Sequence, residues 1–86
     1  LYTKLEDNQK AFVYYQKALK IQLQVLGDNH LDNAINYSKI GNHYKNLGDC
    51  EKALENHQQA LKIYLQILGE KHLDVAASYN NIGNIY

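Results

Sequence analysis

Apolar residues recur along this chain at steps of three and four, with polar residues between them. Tyr37, Ile40, Gly41, Tyr44 and Leu47 fall on one face of a helix. Ala53, His57, Ala60, Leu61, Tyr64, Ile67 and Leu68 form a second such stripe, and Ala11, Tyr15, Ala18, Leu19, Gln22 and Leu26 form one upstream. A last stripe runs Tyr79, Ile82, Gly83, Tyr86. The pattern predicts helices over about 9–26, 33–47, 51–68 and 75–86, with residues 1–5 as the stub of an earlier helix. No segment alternates with period two for long enough to be a strand, so the expected class is all-α. The joining loops are about two and six residues long, and such short connections set neighbouring helices antiparallel.

The same pattern is written twice. Leu26-Gly27, His30-Leu31-Asp32 and Ile40-Gly41-Asn42 return as Leu68-Gly69, His72-Leu73-Asp74 and Ile82-Gly83-Asn84, and at this offset of 42 residues the chain matches itself at 23 of 44 positions. Self-similarity at such a period marks a supersecondary unit stacked on its own copies. Stacked units build extended binding surfaces more readily than enclosed reactive pockets, so an enzyme is not expected. Gly48 suits the left-handed position after a helix end, and Asp49, Asp32 and Asp74 are the expected caps of the helices that follow them. Gly inside a helix costs about 1 kcal/mol relative to Ala. Gly41 and Gly83, at one phase of the repeat, therefore predict close approach of a partner helix, with Ala18 and Ala60 as the facing small residues and Tyr44 and Leu61 beside them.

Composition narrows the function. The 86 residues suffice for one small domain, and nine Lys against nine acidic residues, with no Arg, leave a formal net charge of zero. Neutrality without Arg argues against nucleic acid, whose phosphates need a net basic face. No apolar run approaches the roughly 18 residues of a membrane span. The single Cys50 has no partner for an internal disulfide, so a reducing, cytoplasmic setting is the default expectation. Four His invite a metal reading. His30 and His72 lie one repeat apart, and helices packed at about 8–10 Å hold such positions too far apart to share an ion bound at about 2 Å. They are expected to buttress the loops, and neither a metal site nor a cofactor nor a catalytic grouping is predicted. Tyr37, Tyr44, Tyr79 and Tyr86 lie in the stripes and are expected in the core.

Tyr37-x-x-Ile40-Gly41-x-x-Tyr44, then Gly48, then Ala53-x-x-x-His57-x-x-Ala60-Leu61 resembles the signature of the tetratricopeptide repeat. The 42-residue period, with Leu-Gly-Glu/Asp-x-His-x-Asp between units, is similar to the kinesin-light-chain type of that repeat. The resemblance covers essentially the whole chain and implies a solenoid of antiparallel helix pairs in a right-handed superhelix, here about two repeats over residues 1–86. It departs from the pattern in places: Tyr37 and Tyr79 stand for the usual Trp, His57 for an aromatic residue, and Glu6 for the turn glycine, which implies a looser first turn. Two repeats fall below the three or so usually needed for stability, and a fragment of a longer array is expected.

The resemblance also implies a site. First-type helices of the family line a concave groove, and Ser38, Asn42, Lys45 and Asn46, with Asn80 and Asn84 at the Ser38 and Asn42 positions of the next unit, fall at phases that point into it. An Asn amide offers both a donor and an acceptor, so it pairs with a peptide bond whatever side chain follows. The implied function is a scaffold or adaptor that binds a protein or peptide in the groove. The alternative is that these are ordinary surface residues of an Asn-rich chain, and that the repeats act as a spacer or self-association surface through their exposed ends. Lys52, Glu55, Lys62 and Gln66 are expected on the solvated convex face.

Overall fold

A computed structural model describes residues 4–86, with side chains from Glu6 onward. The described residues form four helices: α1 (Lys4–Leu26), α2 (Leu31–Asn46), α3 (Cys50–Leu68) and α4 (Leu73–Ile85). Successive helices pack against each other, α1 on α2, α2 on α3 and α3 on α4. By sequence α3 repeats α1, and α4 repeats α2.

Loop chemistry explains where the helices stop. Gly27, Gly48 and Gly69 all adopt φ near +80°, a region closed to most side chains. At Gly48 the turn is a complete Schellman motif: the Gly48 N–H donates to Lys45 O at 3.0 Å and the Asp49 N–H to Tyr44 O at 2.9 Å. Asp49 then caps α3, its Oδ1 accepting from the Lys52 N–H at 3.1 Å. No glycine stands at position 6, and the helix runs unbroken from Lys4, so the expected turn between an N-terminal stub and α1 does not exist. Residues 1–3 of the expected stub lie outside the described residues.

The caps of α2 and α4 differ from expectation. His30 and His72, not Asp32 and Asp74, hold the N-cap positions, and their Nδ1 atoms accept from the Asp32 and Asp74 N–H groups at 3.1 and 3.0 Å. The two Asp side chains sit in the first turns, where the helix dipole favours them. Both helices consequently start two residues earlier than their apolar stripes suggest.

The core lies between α2, α3 and α4. Ala34, Ala60, Ile63, Tyr64 and Val75 are buried together, with Tyr37, Leu61, Leu65 and Leu68 packed on them. The close approach at Gly41 is present: a Cβ there would lie 2.8 Å from the His57 ring and 3.2 Å from Ala53 O. The facing residues are thus Ala53 and His57 rather than Ala18 and Ala60. Gly83 has nothing within 4 Å of its Cβ position. Of the four tyrosines expected in the core, Tyr37 and Tyr44 are half-buried, while Tyr79 and Tyr86 are 55% and 88% exposed. The face of α4 that carries them has no helix against it among the described residues.

Candidate functional site

Three contacts fix the orientation of α2, which carries most of the expected site. The Asn33 amide donates to Gly27 O at 2.7 Å and to Asp28 O at 3.4 Å, tying the helix to the preceding loop. The Asn36 amide donates to Gln22 Oε1 at 2.8 Å, tying it to α1. Gly41 against Ala53 and His57 ties it to α3. Asn33 and Asn36 are buried. They are internal struts that the sequence reading did not single out, and their positions in the next unit are Val75 and Ser78.

Outside this frame, Asn42, Lys45 and Asn46 on α2 and Asn80 and Asn84 on α4 are exposed, and Ser38 is half-buried. Asn42 and Asn46 line a groove of about 220 Å³ between α1 and α2. Its α1 side is Asn8, Ala11, Phe12 and Tyr15, and Lys39 and His43 complete the α2 side. Phe12 stacks on His43 at 4.1 Å between ring centres and meets the Tyr44 ring edge-on at 5.2 Å. The Lys39 ammonium sits 5.0 Å from the centre of the Tyr15 ring, a cation–π distance. Ser38, Lys45, Asn80 and Asn84 do not line this groove. Lys45 is near enough to His57 for its charge to act on that ring. The expected set is therefore divided between the α1 side of α2, the α3 side of α2, and α4.

Phe12, Tyr15, Lys39 and His43 are groove residues that sequence reasoning did not assign to a site. Phe12 is the only Phe of the chain and lies beside the apolar stripe of α1, which was the available signal. A larger groove, about 450 Å³, lies where α1, α2 and α3 meet, lined by Leu19, Leu23, Ile40 and Tyr44 with polar Gln16, Lys20, Gln24 and Asn56. Lys52, Glu55, Lys62 and Gln66 are exposed on α3, as expected of a solvated face.

Titratable groups follow burial. The His57 imidazole is pushed below its ordinary pKa by burial and then by the Lys45 charge. The phenols of Tyr37 and Tyr64 are pushed up by burial and then by Asp28 and Asp74 respectively. Neither ring nitrogen of His57 has a hydrogen-bond partner. Among the described residues no three of His, Cys, Asp and Glu gather to hold a metal ion, and no helix is long and apolar enough to cross a membrane.

Fold and surface together define a helical-repeat scaffold: paired helices, glycine-punctuated loops and polar outer faces. A family model of the tetratricopeptide repeat matches residues 1–66 and, in a second overlapping match, residues 34–86. The chain belongs to the tetratricopeptide-repeat family. No curated protein and no solved structure matches it.

Proposed function

We propose that this chain holds a protein or peptide ligand on the outward faces of α2 and α4, and serves as a scaffold or adaptor segment. The observation that carries this reading is the division of its asparagines. Asn33, Asn36 and Asn56 spend their amides on partners inside the chain, at 2.7, 2.8 and 2.8 Å. Asn42, Asn46, Asn80 and Asn84 are exposed and their side-chain amides make no such bond among the described residues, as is also the case for Asn8 and Asn29. Asn42 and Asn84 hold one position of the repeat on successive first-type helices. Amides so repeated suit the backbone of an extended ligand, because each pairs with a peptide bond independently of the side chain. Ser38, at the Asn80 position of its own unit, and Lys45 extend the polar face. The 42-residue period and the Leu-Gly-x-x-His-Leu-Asp loops support the kinesin-light-chain type of repeat, and a cytoplasmic adaptor role goes with that type.

A peptide array probed with the wild-type chain and with Asn42→Ala/Asn84→Ala tests the proposal. Recurrent ligands should appear and weaken in the double variant. Two lost hydrogen bonds at about 0.5–1.5 kcal/mol each imply a loss of about five- to 140-fold. Ligands bound equally by both proteins, or none at all, would sink it.

A further inference from the structure

The larger groove has no part in the ligand grip proposed above. Three consecutive helices supply its walls. Its floor is apolar, made of Leu19 and Leu23 from α1 with Ile40 and Tyr44 from α2. Its rim is polar, made of Gln16, Lys20 and Gln24 from α1 with Asn56 from α3.

The repeat treats this groove differently from the surface around it. Forty-two residues on, the floor returns unchanged as Leu61, Leu65, Ile82 and Tyr86, and the α1 rim as Gln58, Lys62 and Gln66. Packing accounts for the floor. It does not account for the rim, because Gln16, Lys20 and Gln24 and their three counterparts are all exposed. Asn8, Gln9 and Lys17, exposed on the same helix, become Cys50, Glu51 and Gln59. In the smaller groove between α1 and α2, Phe12, Tyr15, Lys39 and His43 become Leu54, His57, Asn81 and Ile85. An exposed rim kept together with its floor is what contact with an outside partner requires.

Shape and charge identify that partner. The α1 lining runs from Gln16 to Gln24, just over two helical turns and about 12 Å. A helix laid along it offers apolar side chains at i, i+3 or i+4 and i+7 over the same length, and keeps its backbone bonds inside itself. An extended segment would instead turn backbone groups toward a floor of Leu and Ile side chains that cannot bond them. Lys20 lines the groove, and the Lys52 ammonium lies 5.5 Å from the centre of the Tyr44 ring in its floor. None of the eight lining residues is acidic. In a chain with as many acids as lysines, this lining favours a partner of opposite sign. We infer that the larger groove is a second docking site, taken by an amphipathic helix of a partner protein whose apolar stripe is flanked by Asp or Glu.

Selection from a display library of short amphipathic helices with randomised flanking positions, carried out on the 86-residue chain, tests this. The selected peptides should carry Asp or Glu beside their apolar stripe. Fluorescence anisotropy should then show them about tenfold or more weaker on Leu23→Gln. Lys20→Glu should weaken them severalfold, whereas Lys17→Glu, the same charge change outside the groove, should not. Lys17 and Lys20 are exposed, so both charge variants are expected to fold, and far-UV circular dichroism checks all three. Lys20→Glu decides the matter if Leu23→Gln does not fold. Selection repeated on Lys20→Glu should return helices flanked by Lys. A library that yields no binding helix overturns the proposal. So do peptides bound equally by wild type and Lys20→Glu, or weakened as much by Lys17→Glu.

Discussion

Gly41 and Gly83 occupy one position of the repeat and meet different surroundings, and this separates two roles of glycine at the scale of a residue. At Gly41 an added methyl meets a fully buried ring and a backbone carbonyl, neither free to retreat. Overpacking of about 1–3 kcal/mol then outweighs the helix-propensity gain of about 1 kcal/mol. Gly41→Ala should therefore lower the unfolding free energy, and Gly83→Ala should raise it by up to about 1 kcal/mol, as chemical denaturation would show. The need for small residues was legible in the sequence because a helix-internal glycine recurs at the same phase. Its partner was not, because a one-dimensional pattern does not tell which alanine of the facing stripe lies opposite. His57 makes a second residue-scale prediction. Its folded-state pKa is lowered by burial and then by Lys45, while in the unfolded chain it titrates near 6.5. The unfolded chain therefore takes up the proton first. Stability is full above about pH 6.5 and falls as pH drops below it. The difference between wild type and His57→Leu across pH isolates this contribution, and the variant should gain relative stability as the solution becomes acid. A difference independent of pH would contradict the assignment.

At the scale of the element, the loops decide how the helices sit. His30 and His72 cap α2 and α4 through Nδ1 in the same way, which gives both helices the same start and keeps Asn42 and Asn84 in phase. Removing a cap costs about 0.5–2 kcal/mol, whereas a first-turn carboxylate contributes about 0.3–1 kcal/mol. His30→Ala should thus destabilise more than Asp32→Ala in thermal unfolding at neutral pH, and the reverse order would return the cap to Asp32. The sequence contains both residues in one loop, and Asp is the commoner cap, so pattern alone chose the wrong one. Gly48 and Asp49 were legible because a left-handed glycine followed by a capping Asp leaves little else for the chain to do. The unbroken start of α1 was less so: the missing glycine at Glu6 suggested a loose turn, and instead the helix continues.

At the scale of the molecule, two kinds of helix contact alternate: α1 on α2 recurs one repeat later as α3 on α4, and α2 on α3 joins them. Periodicity and the 42-residue repeat were enough to read the solenoid class. They marked Tyr79 and Tyr86 as apolar-face residues without telling that, among the described residues, no helix covers that face. The expected polar residues share phases in the sequence, but of them only Asn42 and Asn46 line the groove between α1 and α2. The aromatic groove of Phe12, Tyr15 and His43 was not, since it arises only where α1 meets α2. The central claim is that the uncommitted amides of α2 and α4 grip a ligand's backbone. The most direct measurement follows the side-chain amide resonances of a labelled chain as a peptide selected from the array is added. The signals of Asn42, Asn46, Asn80 and Asn84 should move while those of Asn33 and Asn36, bonded inside, stay in place. Movement confined to α3 or to the larger groove around Leu19 and Leu23, with those four amides unchanged, would contradict it.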